Sequence, residues 1–95
     1  MPSYFLSPLA EQDLESIWTY TAERWSVAQA DSYIADMAQA FETLAVGKRQ
    51  GRTTDIRPGY LKYPVGAHVV FYKRSGGHID IIRILHGRMD VTRHL

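Results

Sequence analysis

No cysteine occurs among the 95 residues, which removes disulfide frameworks, thiolate nucleophiles and cysteine-ligated zinc together and predicts a reducing compartment, the cytoplasm. No apolar run comes near the ~18 residues that a membrane-spanning helix requires. The opening MPSYFLSPLAEQDLE has no basic flank before its short apolar stretch and meets acidic residues at once, so it does not read as a secretion signal. A soluble protein without a membrane partner is expected. The four histidines, His68, His78, His86 and His94, show neither the i, i+4 helical spacing nor the carboxylate cluster that a metal site needs, so no metal and no cofactor is expected. Gly76-Gly77 precedes a strand rather than a helix, which excludes a phosphate-cradling loop.

Basic residues are nearly missing from the first half. Up to Gly47 the chain carries seven acids and one base, Arg24, for a net charge of −6; from Lys48 onward it carries ten bases and three acids, for +7. The overall charge of +1 hides this division. Such a split predicts halves that attract each other, or a basic surface that meets a polyanion or an acidic protein. A chain of this length makes one domain, 1–95, with a core small enough that support from a partner would matter. Hydrophobic residues at 45% and charged residues at 22% place it among folded proteins rather than disordered ones.

Residues 3–6, SYFL, read as a short strand closed by Ser7-Pro8, with Ser7 as the N-cap and Pro8 at the first position of a helix. Leu14, Ile17, Trp18, Thr21 and Trp25 give that helix one apolar face, leaving Glu11, Asp13, Glu15 and Glu23 largely elsewhere. Ser26-Val-Ala-Gln29 has capping-box form and restarts the chain as a second helix. Val27, Ala30, Ile34, Met37, Phe41 and Leu44 then step by three and four, the seam of an antiparallel helix pair, and Gly47 suits the left-handed residue that ends it. Residues 48–58 read as a basic loop. Three extended segments follow: Tyr60 to Val65, with Pro64 marking a strand end or an edge; His68 to Arg74, an interior strand; and, after the Ser75-Gly76-Gly77 turn, His78 to His86, apolar on both faces and so central. In the last, Ile79, Ile81 and Leu85 are expected on one face, Ile82 and Ile84 on the other. The order β-α-α-β-β-β predicts an α+β fold, a helical hairpin packed on a mostly antiparallel sheet.

The residues that stand out for chemistry lie at the end of the predicted central strand, in Arg83-Ile-Leu-His86-Gly87-Arg88-Met-Asp90. Arg83 is expected to be partly buried and to need a carboxylate or a backbone carbonyl as partner. Arg88 has Asp90 two residues away, placed to hold it locally. A metal-free nuclease would need a base, an acid and cations for the phosphorane charge. No spacing here singles out such a set, and no catalytic residue is assigned. Periodicity alone leaves the function open.

YFLSPLAEQDLESIWTYTAERW, RPGYLKYPVGAHVVFYKR and above all IDIIRILHGRMD resemble the ParE toxins of bacterial toxin-antitoxin modules, within the wider RelE/ParE superfamily. The likeness runs from Tyr4 to His94, and RILHGRMD, residues 83–90, is its most specific part. It implies a helical hairpin on an antiparallel sheet. It also implies a toxin that is not an enzyme, stalls DNA gyrase with DNA cleaved, and is neutralised by a ParD-like antitoxin whose flexible C-terminal segment wraps it in a heterotetramer or larger assembly. No sequence-specific nucleic-acid binding by the toxin alone is expected.

Arg83, His86, Arg88 and Arg93 are the residues expected to act in gyrase binding or toxicity. The antitoxin segment is expected to cross the apolar groove between hairpin and sheet and to meet the basic half at Arg52, Arg57, Lys62, Tyr63, Phe71 and Lys73. The superfamily's RelE-like branch instead cuts messenger RNA on the ribosome, in many members with a tyrosine or histidine just past the last strand. Here that stretch reads Gly87-Arg88-Met89-Asp90, and Met89 and Asp90 supply no such acid-base group. His86 is the substitute to weigh, although its place at the end of a buried strand favours a structural role. An interaction module that has lost toxicity is a third alternative.

Overall fold

In the computed structural model, which describes residues 3–95, the chain runs β1 (Ser3–Leu6), α1 (Pro8–Arg24), α2 (Val27–Ala45), β2 (Arg52–Thr53), β3 (Leu61–Val65), β4 (His68–Ser75), β5 (His78–His86) and α3 (Val91–His94). The expected α+β architecture is present, with a two-residue strand inside the predicted 48–58 loop and a short final helix added to it. Both main helices start where their caps predict: the Ser7 hydroxyl accepts the Ala10 N–H, and the Ser26 hydroxyl accepts the Gln29 N–H. Gly47, with φ of 81°, ends the second in the left-handed region.

The strands form one mixed sheet in the order β1-β5-β4-β3-β2. β1 lies parallel to β5, and every other pairing is antiparallel. β5 therefore has neighbours on both sides, as its two apolar faces require. β2 pairs only with Leu61 and Lys62, so Pro64, which cannot donate to a ladder, lies beyond it on an open stretch of β3. Arg52 on the two-residue β2 and Pro64 on the open stretch of β3 both disfavour strand addition at this edge.

The hairpin covers one face of the sheet. Ala10, Ile17, Met37, Phe41, Leu44 and Ala45 of the helices pack with Val70, Tyr72, Ile79, Ile81 and Ile84 of the two central strands. Ala30, Met37, Phe41 and Leu44 are almost fully buried, as the seam predicts. The seam stops short of the elbow, however. Val27 is 57% exposed and Trp25 70% exposed. Val27 is the first residue of α2 and Trp25 follows the last residue of α1, so neither has an opposing turn of helix to pack on.

One irregularity sets which side chains face the helices. Tyr72 pairs with Ile81 while Phe71 pairs with Arg83, so Ile82 is an extra residue in β5 and the alternation of faces shifts by one. Ile79, Ile81 and, past the bulge, Ile84 all join the helix-facing core, and Leu85, buried at 1%, falls outside that cluster. The strict alternation expected from the sequence, with Leu85 beside Ile79 and Ile81, is corrected by this single residue. His86 moves with Ile84 onto the helix side.

Met37 and Phe41 are 0% and 1% exposed in the middle of this core. Met37→Asp or Phe41→Asp puts an unpaired charge there, at a cost of several kcal/mol in a domain whose stability is about 5 to 10 kcal/mol. Either variant should lose cooperative thermal unfolding by circular dichroism, whereas native melting would place this face at the surface.

Candidate functional site

β1 ends at Leu6, opposite Ile81, so the second half of β5 has no strand on that side. The start of α1 takes over. The Ser7 N–H donates to the Ile81 carbonyl at 2.9 Å, and the Ser7 hydroxyl donates to the carbonyl of the bulged Ile82 at 2.7 Å. Asp13, nearly two turns along the helix, accepts the Ile84 N–H at 2.9 Å on Oδ2. The same carboxylate takes Arg83 in a two-pronged pair, Nε to Oδ2 at 2.8 Å and Nη2 to Oδ1 at 2.9 Å. Both side chains are only 14% exposed, and Arg83 is held further above the usual arginine range by its hydrogen bonds to Asp13, against the opposing effect of burial. Its remaining nitrogen, Nη1, donates to the His94 carbonyl at 3.1 Å. Arg83 thus finds both kinds of partner that its chemistry requires. Asp13, read from the helix pattern as an outlying acid, is instead an anchor of the sheet.

Beside this anchor a groove runs between α1 and the end of the sheet. One stretch, of about 380 Å³, is lined by Asp13, Ile17, Tyr20, Ile84, His86 and Met89 among others. The next, of about 270 Å³, shares Tyr20, His68 and His86 and continues to Trp25 and Tyr33. Tyr20, Trp25 and Met89 are 61%, 70% and 42% exposed, so an apolar strip lies open to a partner. No lysine or arginine is among the residues lining either stretch.

His68 and His86 face each other as the first rung of the β4–β5 ladder, ring centroids 5.3 Å apart and edge to face. Each is tied on one nitrogen. His86 Nδ1 accepts the Arg88 N–H at 3.1 Å, and His68 Nδ1 lies 2.7 Å from the Tyr33 hydroxyl. Tyr33 also accepts the Ala67 N–H and reaches the Val65 carbonyl, so it organises the β3–β4 turn. Its ring lies over Gly66, where φ is 58° and an added Cβ would come within 2.7 Å of the ring. Burial pushes the His68 imidazole below its ordinary value of 6.5, His86 adds to that, and Asp13 opposes it. Because the unfolded chain then binds the proton better, His68 subtracts from stability as pH falls through 6.5 toward its depressed folded value, and contributes nothing above. Burial likewise raises the Tyr33 hydroxyl above 10.0.

The other face of the sheet is basic. Arg52, Lys62, Phe71 and Arg83 form one row across four strands. Arg52 and Lys62 are exposed cross-strand neighbours of like charge, and neither takes part in a salt bridge among the described residues. They flank a cleft with Gln50, Tyr63, Pro64 and Val69 along its walls. Lys73, also exposed, is two residues from Phe71 on the same face.

Of the residues expected to meet the antitoxin, three are partly or wholly occupied within the domain. Phe71 is 2% exposed and offers no free surface. Tyr63 is half-buried against the helix-facing core while still bordering the cleft beside Arg52 and Lys62. Arg57 is already engaged, donating from Nε and Nη2 to the Leu95 carbonyl at 3.1 and 2.8 Å. Nor do Arg52, Arg57 or Lys62 border the apolar groove, so groove and basic row are separate surfaces.

Of the terminal cations, Arg88 and Arg93 are exposed on the turn after β5. Asp90 does not hold the Arg88 side chain as expected. It caps α3 by accepting the Thr92 N–H and hydroxyl, and lies 3.8 Å from Arg93. Asp13, Tyr20, Tyr33 and Met89 were not singled out by the sequence. Only Asp13 carried a signal, as one of ten acids available to the partly buried Arg83.

The model of the family described as "ParE toxin of type II toxin-antitoxin system, parDE" matches residues 4–91. Toxin ParE1 of Mycobacterium tuberculosis is 48% identical over 94 residues, covering 97% of this chain and 96% of that protein. Toxin ParE1 of Caulobacter vibrioides is 41% identical over 96 residues, covering 100% and 99%. A solved structure of the chromosomal ParDE toxin-antitoxin system from P. aeruginosa superposes with a TM-score of 0.77 over 90% of this chain and 95% of that one, at 19% identity, which shows the shared fold. With the family model spanning both the Asp13–Arg83 anchor and the strand end it supports, this chain belongs to the ParE toxins of type II toxin-antitoxin systems.

Proposed function

We propose that the protein poisons DNA gyrase by occupancy, holding it on cleaved DNA, and that a ParD-like antitoxin neutralises it. The observation that carries this reading is that no cationic side chain lines the groove holding the paired imidazoles, Arg88 meeting His86 only through its backbone N–H. His68 and His86 sit in a groove lined by no lysine or arginine, while Arg52 and Lys62 sit on the opposite face without an imidazole beside them. Phosphodiester cleavage without a metal needs proton transfer and cationic stabilisation at one point in space. A binding protein needs only complementary surfaces. The exposed turn that carries Arg88 and Arg93 is the cationic feature offered to the target, and Arg83 supports it from beneath.

For the antitoxin, the geometry favours a wrap over a plug at one place. An apolar segment fits the groove from Trp25 to Met89, and acidic residues further along it fit Arg52, Lys62 and Lys73 on the other face. The family membership and the ParDE structure support such a partner, and the division of −6 against +7 supports its charge pattern.

The ribosome-dependent ribonuclease has one observation in its favour, the paired rings of His68 and His86 in an open groove. Purified gyrase with supercoiled plasmid, set against translating ribosomes with message, separates the two. Linear plasmid appearing in the first and intact message in the second is the expected outcome.

His86→Gln and His68→Ala should each change potency by no more than about tenfold, since one imidazole is a minor part of a binding surface. A general acid-base group would contribute about 10² to 10⁴ in rate, so near-silence of a folded His86→Gln protein would favour the ribonuclease. Arg52→Ala with Lys62→Ala should weaken antitoxin binding by tenfold or more and flatten its dependence on salt, measured by titration calorimetry at two ionic strengths. Unchanged affinity would remove the basic row from the interface.

A further inference from the structure

We propose that Asp13 is a positioning residue for the toxin's working surface: acting through Arg83, a carboxylate on the first helix sets where the C-terminal turn, 88–95, is held. The inference rests on the reading that this turn, with Arg88 and Arg93, meets the target.

The turn cannot hold itself in place. Its helix, Val91–His94, is four residues long, far below the length at which a helix is stable alone, and none of its residues is buried. Its local ties are few: the Arg88 N–H to His86 Nδ1, the Met89 N–H to the His86 carbonyl, the Arg93 N–H to the Asp90 carbonyl, the Leu95 N–H to the Val91 carbonyl, and the Asp90 cap on Thr92. These bonds all lie within residues 86–95. The hydrogen bonds that reach the turn from elsewhere in the domain come from two arginines. Arg83 donates to the His94 carbonyl, and Arg57 donates twice to the Leu95 carbonyl.

The two latches differ in their backing. Arg57 is exposed and has no acid partner among the described residues. Arg83 has two of its three nitrogens locked on Asp13, which leaves Nη1 aimed at the turn with its side-chain entropy already spent. Asp13 in turn accepts the Ile84 N–H, so its own position is referenced to β5. Neutralising the carboxylate frees the guanidinium, and the turn loses its more rigid latch.

The test uses backbone order parameters from nuclear magnetic resonance together with potency. Parent protein should show values near 0.85, typical of rigid backbone, through residues 89–95; Asp13→Asn and Arg83→Lys should fall below about 0.6 there while 68–74 and 78–82 stay rigid. Potency against gyrase should drop tenfold or more in both, and Asp13→Glu, which keeps the carboxylate, should recover most of it. Arg57→Gln, which touches nothing in the core, should loosen residues 93–95 and cost severalfold in potency without moving the melting temperature. The proposal is overturned if the turn stays ordered in Asp13→Asn, or if potency falls only in proportion to the folded fraction. It is also overturned if Arg57→Gln and Asp13→Asn both loosen the turn with potency intact. Should the parent leave gyrase untouched, growth inhibition supplies the potency scale, so failure of the gyrase reading is seen separately.

Discussion

A parallel edge strand that stops too early creates the problem that Asp13 solves. β1 covers β5 only as far as Ile81, and beyond it the bulge at Ile82 leaves backbone groups facing the helix instead of a strand. An unmet polar group there would cost roughly 1 to 3 kcal/mol, and an unpaired Arg83 more. One carboxylate answers both by accepting the Ile84 N–H and the guanidinium together. Helix, central strand and C-terminal turn then share a single junction.

From that junction the surface divides. The bulge turns His86 toward the helices beside His68, which gives the groove its imidazoles, and leaves the far face to the row that begins at Arg52 and Lys62. The charge asymmetry of the sequence thus becomes two surfaces of different chemistry, an apolar groove beside acidic helices and a basic sheet face. Under the proposed function these separate surfaces go to separate partners, the groove and basic face to the antitoxin and the terminal turn to the target.

Much of this was legible because local chemistry decides it. Ser7-Pro8 and Ser26 with Gln29 start helices for reasons contained within four residues, and the three-four spacing through Ala30, Met37, Phe41 and Leu44 leaves only one face to bury. The two-sided apolar character of 78–86 likewise required a central strand. The bulge was not legible: Ile82 differs in no local property from Ile81, and its extra place in the ladder depends on the register with β4 and on Ser7 being there to take its carbonyl. With it went the faces of Leu85 and His86. The need of Arg83 for a carboxylate could be read, but not which one, since Asp13 lies 70 positions away and only the finished fold brings them together. Val27 and Trp25 carried the right spacing but lie at the elbow, where no opposing turn exists, so periodicity overstated the core.

The most direct test of the Asp13–Arg83 junction is a double-mutant cycle on stability, with Asp13→Asn, Arg83→Gln and the pair together, each unfolded by urea and compared with the parent. Because both side chains are largely buried and doubly hydrogen-bonded, the two substitutions should be strongly non-additive, with a coupling of about 1.5 to 3 kcal/mol. Effects that add to within about 0.5 kcal/mol would show that the two residues act independently, and would contradict the role assigned to the junction.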